Sequence, residues 1–192
     1  MRTSTSRRVR FTKDAGFTLI EVLISMCVLT IGMLSLLGVF GLAMSGTMTA
    51  QEDRIAKQLA QDAYESIYTA RDTANVPWAN IENVAGGGTG IFVSGFQPIY
   101  QSGADAIIGT ADDAAAGNQQ FQLAGPDGIF GTADDIFVPL KNFQRQISIV
   151  DVVNGGAPVP NLKTITVTIQ YTTPQSRFAK TYVLSGYISQ YR

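Results

Sequence analysis

The sequence predicts an α+β chain: one long N-terminal helix whose first half can span a membrane and whose second half packs on a C-terminal antiparallel sheet. Three observations carry this expectation. No charged residue occurs from Val22 to Gln51, a run of 30 positions, well beyond the ~20 residues that cross a bilayer as a helix. Ile55, Leu59, Ala63 and Ile67 then recur at the spacing of one helical stripe. Finally, Thr164–Tyr171 alternates polar and apolar residues, the mark of a strand with one buried face.

Composition narrows the chemistry. The chain has 192 residues, a net charge of −1 and no histidine, so histidine triads, histidine general bases and histidine metal ligands are absent. A single cysteine, Cys27, excludes an internal disulfide and a cysteine-cluster zinc site. Fourteen Lys and Arg against fifteen Asp and Glu give no basic surface for nucleic acid. Ser, Lys, Tyr and Asp occur, but no spacing among them pairs a nucleophile with its base. The expectation is a protein that is not an enzyme.

Charge is unevenly placed. Arg2, Arg7, Arg8, Arg10 and Lys13 stand against Asp14 in residues 1–16, and the remainder is acidic overall. A basic head before an apolar run is a targeting signature. The positive-inside rule keeps that head in the cytoplasm and places residues 51–192 outside. Small residues at Gly41, Ala43 and Ser45 leave an ordinary cleaved signal open. Glu21 argues for something else, because a carboxylate deep in a spanning helix costs roughly 2.5–3.5 kcal/mol and is by default functional.

Gly16-Phe17-Thr18-Leu19-Ile20-Glu21 resembles the signal of type IV prepilins and pseudopilins. The resemblance implies cleavage after Gly16 by a prepilin peptidase, N-methylation of Phe17 by the same enzyme system, and a role for Glu21 in subunit assembly. Cleavage there would place an ammonium four residues from Glu21. Each charge alone is costly in an apolar bundle, whereas a pair between neighbouring subunits satisfies both and sets their axial register. The implied partners are other pilin subunits in a helical filament, the peptidase and methyltransferase, an inner-membrane assembly platform and the inner membrane itself. Val28–Gly38 and Gln58–Glu65 are similar to PilV-type minor pilins, although minor pseudopilins of type II secretion share much of this pattern.

The chain thus divides into a leader at 1–16 that is removed, an apolar helix at 17–50 for membrane and filament core, and an outer domain at 51–192. One continuous helix is expected from about Phe17 to Arg71, roughly 80 Å at 1.5 Å per residue, with Asn75-Val76-Pro77 ending it. Its second half, 51–72, would lie on a β-meander at 143–188. In that meander Phe143–Val153 turns through Asn154-Gly155-Gly156 into the alternating strand, and Lys180–Ile188 follows. Gly86–Gly90 reads as a flexible loop. Many type IV pilins close their C-terminal region with a disulfide, which this chain cannot make.

The acidic segment 103–135 contains an internal repeat. Gly103-Ala-Asp-Ala-Ile-Ile-Gly-Thr-Ala-Asp-Asp113 matches Gly125-Pro-Asp-Gly-Ile-Phe-Gly-Thr-Ala-Asp-Asp135 at an offset of 22. Clustered carboxylates ask for a counter-ion, and calcium takes six to eight oxygen ligands. In the second copy Asp127, Asp134 and Asp135 would supply carboxylates and Ile129 or Thr132 carbonyls, with Gly128 and Gly131 making the turns. Asp105, Asp112 and Asp113 form the weaker first candidate, because Ala106 stands where Gly128 does. The second stretch is similar to the calcium loop of major type II pseudopilins. Solvated Asx turns are the simpler reading of both. The expected function is a minor pilin of a type IV pilus. A type II secretion pseudopilin, and a non-polymerising membrane-anchored calcium-binding or adhesive surface protein, are the alternatives.

Overall fold

The computed structural model describes residues 16–84, 89–173 and 178–191. Residues 1–15 of the leader expected at 1–16, and Gly86–Gly88 of the glycine loop, lie outside them. Helix α1 spans Leu19–Asp72, and a 3₁₀ turn follows at Trp78–Asn80. Then come β1 (Gln97–Pro98), the short helix α2 (Asp113–Ala116), β2 (Gln120–Leu123), β3 (Ile136–Pro139), β4 (Phe143–Asn154), β5 (Ala157–Tyr171) and β6 (Lys180–Ser189). The main sheet is antiparallel in the order β1-β4-β5-β6, and β2-β3 forms a separate ribbon. By internal contacts the chain divides into residues 1–46 and residues 47–192.

In the first unit, α1 has no protein core to bury itself in. Leu19, Ile20, Leu23, Ile24, Leu34, Leu37 and Leu42 are all exposed. Its polar side chains are satisfied within the helix: Ser25 Oγ donates to the Val22 carbonyl (2.8 Å), Thr30 Oγ1 to that of Cys27 (2.8 Å) and Ser35 Oγ to that of Ile31 (2.9 Å). A helix that meets its own hydrogen-bonding needs and shows apolar groups all round is suited to lipid or to other helices. Among the described residues α1 is the one helix long and apolar enough to cross a membrane.

The second unit is built on the stripe. Ala56, Leu59, Ala60, Ala63, Ile67 and Ala70 are buried, and the four alanines let the helix axis approach the sheet closely. Strand parity supplies the opposing face: Ile147 and Ile149 from β4, Ile165, Val167, Ile169 and Tyr171 from β5, and Ile188 from β6. The helix is also fastened at its edge. Tyr64 lies so close over Gly186 that a Cβ there would strike its hydroxyl. Tyr68 donates to the Tyr187 carbonyl and Arg71 Nη1 to that of Ser189 (2.8 Å). Nearer the membrane half, Asp53 accepts from Tyr171 (2.7 Å) and Lys180 (3.0 Å). These bonds hold the Asp53 carboxyl below its ordinary value. In turn, burial and then the Asp53 bond push the Tyr171 phenol upward.

Helix α1 stops at Asp72, one residue past the expected Arg71 and ahead of the proline, because Ala74 turns left-handed (φ 57°) and its N–H closes on the Arg71 carbonyl (3.0 Å). One local reading changes in the structure. Gly90, expected in a flexible loop, is instead pressed on the backbone of Glu82 and Asn83, where a Cβ has no room.

Asn83 explains why that approach matters. Its Nδ2 donates to the Ile147 carbonyl (2.8 Å) and its Oδ1 accepts the Ile149 N–H (2.7 Å), so one side chain does the pairing of a missing strand along β4. Asn83→Ala leaves both β4 groups unpaired, and we expect a loss of about 2 kcal/mol. The outer domain should then melt roughly 4–8 °C lower. An unchanged melting curve would show that water replaces the amide there.

Candidate functional site

At the N-terminal end, α1 begins at Leu19, so Glu21 falls in its first turn. The Glu21 N–H donates to the Thr18 carbonyl (3.1 Å) and lies 3.4 Å from Thr18 Oγ1. Thr18-x-x-Glu21 has the spacing of a capping box, and a carboxylate in the first turn is favoured by the helix dipole. Glu21 is therefore at home at a helix start, and its presence in an apolar segment becomes costly only once that start is buried. Phe17 is exposed and Gly16 has open space around it, which leaves the Gly16–Phe17 bond accessible to a processing enzyme.

The two acidic loops share one set of bonds, to which the second adds two donors to Asp135, the Thr132 N–H (3.2 Å) and Gln122 Nε2 (2.5 Å). In the first, Asp113 accepts from the N–H groups of Gly103 (2.8 Å) and Gly109 (2.6 Å). Asp112 accepts from the Asp105 N–H (3.3 Å) and Thr110 Oγ1 (2.6 Å), and Asp105 from the Ile107 N–H (2.8 Å). In the second, Asp135 accepts from Gly125 (3.4 Å) and Gly131 (2.6 Å), Asp134 from Asp127 (3.3 Å) and Thr132 Oγ1 (2.6 Å), and Asp127 from Ile129 (2.8 Å). The Ile129 carbonyl accepts from Thr132 Oγ1 (3.1 Å), as that of Ile107 does from Thr110 (3.2 Å). Ala106 takes the left-handed turn (φ 58°) that Gly128 takes in its copy (φ 70°), so the substitution costs the first loop some strain without changing its course.

What differs is where each loop sits. The first is built into the domain: Ile107 is 5% exposed and Asp113 2%. The Ile108 N–H donates to Ser66 Oγ of α1 (3.0 Å), and Gly109 lies against the Ile147 side chain. Arg145, itself 5% exposed, supplies a positive charge toward Asp113 and Asp62. Burial lowers the Arg145 guanidinium to about 10, opposed by those two carboxylates. Burial raises the Asp113 carboxyl, against the pull of the Gly109 and Gly103 N–H groups and of Arg145. The second loop is open: Ile129 is 60% and Phe130 66% exposed. Asp134 is held low chiefly by Thr132, and no cation acts on it or on Asp135.

One carboxylate oxygen from each of Asp105, Asp112 and Asp113 lies within 4.8 Å of the others. Among the described residues Asp127, Asp134 and Asp135 form no group as close. The donor set is of the class that calcium takes. The loops also neutralise part of their own charge through backbone N–H groups. Charge and geometry point opposite ways here, since the more tightly gathered triad is the one with a guanidinium nearby. Coordination needs converging oxygens first, so the first loop is the better-formed of the two.

Sequence reasoning missed Arg145, Ser66 and Asn83. Arg145 had a signal, because it shares strand parity with Phe143, Ile147 and Ile149 and so must face inward. Ser66 and Asn83 had none.

Residues 11–40 match the family described as the prokaryotic N-terminal methylation motif. No curated protein and no solved structure gives a significant match to the chain. With a long apolar helix whose continuation packs on an antiparallel sheet, the motif supports a type IV pilin-like precursor. It implies processing by a prepilin peptidase and assembly with other pilins.

Proposed function

We propose that this protein is a minor pilin of a type IV pilus, most like the PilV type. It would be anchored in the inner membrane with residues 51–192 outside, cut after Gly16, methylated at Phe17 and then drawn into the filament at the cell surface. The observation that carries the proposal is the methylation motif running directly into a helix whose apolar side chains are exposed on every side. Such a surface is satisfied by lipid before assembly and by other helices after it. The new Phe17 ammonium and the Glu21 carboxylate of adjacent subunits would then set the register. The same physics serves a type II secretion pseudopilin, whose product would stay in the periplasm.

The test is the N-terminal peptide, read by mass spectrometry from membranes and from sheared surface filaments. A methylated Phe17 in the sheared fraction supports the pilus. Methylated Phe17 confined to membranes favours the pseudopilin, and a terminus near residue 45 overturns both.

We also propose calcium as a ligand of the first acidic loop, through Asp105, Asp112 and Asp113. Calcium at Asp127, Asp134 and Asp135, with the Ile129 or Thr132 carbonyl, would need those carboxylates to draw together. Calcium bound at the first loop raises the melting midpoint of the outer domain, and chelator lowers it. Equal midpoints in both would remove calcium from the fold. An adhesive role would have to reside in the outer domain as well, and no residue there singles it out.

A further inference from the structure

A cavity of about 270 Å³ lies between β1, β4 and the start of α2. Its walls are largely apolar, with Val93, Pro98, Ala111, Ala114 and Ile147 among them. Two charged side chains also line it, Arg145 from β4 and Asp113 from α2, and no other charged residue among the described ones does. Both are almost wholly buried, at 5% and 2% exposure. Folded chains rarely bury such groups unless they are paired, and here the two are not paired with each other.

The Arg145 guanidinium makes no hydrogen bond and no salt bridge with any described residue. Asp113 and Asp62 offset its charge from a distance. Its nitrogens are not sealed off either. Among the described residues that are not exposed, Glu52 Oε2 is the one fully enclosed side-chain oxygen or nitrogen without a partner. The Arg145 nitrogens therefore touch open space, and for a residue so deeply buried that space is the cavity it lines. Asp113 is held in place by the Gly103 and Gly109 N–H groups (2.8 and 2.6 Å). These bonds use two of the roughly four acceptor positions of a carboxylate, so it can take a further donor. A guanidinium without an acceptor is costly to bury, and a bound molecule that supplies one removes that cost.

We propose that this cavity binds a free α-amino acid with an apolar side chain. Its carboxylate takes the Arg145 fork, its ammonium faces Asp113, and its side chain lies against Val93, Pro98 and Ile147. Charge selects this class over its rivals. A guanidinium holds a planar carboxylate through two parallel bonds. A plain anion meets the fixed Asp113 carboxylate in the same space, and a dianion such as phosphate is repelled more strongly. A zwitterion is neutral overall and answers both groups. The cavity lies just below the usual range for drug-sized ligands, which suits a smaller molecule. The site needs no filament, since all the residues that form it belong to the outer domain of one copy.

The test uses the full processed chain in detergent, stripped of calcium by chelator and then dialysed, so that no metal at Asp113 takes part. Its melting midpoint is read with each common L-amino acid, and calorimetric titration follows for those that raise it. At least one apolar amino acid should raise the midpoint and bind saturably. Its des-amino and decarboxylated analogues should each bind more weakly by about tenfold or more. No rise with any amino acid overturns the proposal. Equal binding of the des-amino acid or of inorganic phosphate also overturns it, since either marks a plain anion site. Arg145→Gln should abolish binding. Because that change touches the core, Ala114→Trp is the second variant: it fills the cavity from an exposed position. It should abolish binding while the ligand-free midpoint stays where it is. Undiminished binding in Ala114→Trp would put the ligand elsewhere and overturn the assignment.

Discussion

Asp113→Ala should destabilise the outer domain several times more than Asp135→Ala, although the two residues hold the matching glycine N–H groups in the two copies of one loop. Asp113 is 2% exposed and holds the N–H groups of Gly103 and Gly109 in a wall of the core. Its removal leaves two part-buried donors unpaired, at about 1–3 kcal/mol each, and takes a compensating charge from buried Arg145. A loss of about 3–5 kcal/mol is expected, lowering the melting midpoint by roughly 6–20 °C. Asp135 accepts from Gly131, Gly125, Thr132 and the Gln122 amide, but at an exposed loop where water can replace it, so its loss should cost much less. Calorimetry on the two variants in detergent decides the matter. Equal losses would mean that the second loop is covered in the assembled protein.

Glu21→Ala should leave processing and membrane insertion intact and remove the protein from filaments. Within the monomer Glu21 sits in the first helical turn beside Thr18, and losing a solvated carboxylate there costs only a few tenths of a kcal/mol to about 1 kcal/mol of dipole interaction. Within a packed bundle the consequence is larger. Breaking a buried charge pair by deleting one partner costs about 3–5 kcal/mol, more than a hundredfold in the assembly equilibrium. The measurement is the ratio of sheared to membrane-bound protein for wild type and variant, with the Phe17 terminus checked in both. A variant that keeps its place in the filament would refute the pairing and favour an anchored module that does not polymerise.

How much of this was legible depends on the range of the interaction. The apolar run, the stripe from Ile55 to Ile67 and the alternation of β5 are periodic, and each period states which face must be buried. The order and pairing of β4, β5 and β6 follow from the glycine turn at Gly155-Gly156 and the short return to Lys180. The ribbon β2-β3 was not expected, because its strands are four residues each and its apolar positions do not alternate toward one core. The end of α1 was legible to within one residue, although the turn that ends it is made by Ala74 and not by the proline.

The acidic repeat divides most cleanly between the two levels. Residue identity at an offset of 22 already implied one loop made twice, and local bonds between aspartates and backbone N–H groups make it so wherever it stands. The sequence likewise determined the helix start, the methylation motif and the inward face of each long strand, since all depend on neighbours within a turn or a pleat. Only the tertiary structure decided that the first copy becomes part of the core while the second stays outside. That choice rests on contacts distant in sequence: Ser66 on α1, Ile147 and Arg145 on β4, and Asn83 along the same strand. Those residues offer one docking place, and the first loop fills it. The second loop, which repeats the shared bonds, is left exposed because the described residues offer no second place to receive it.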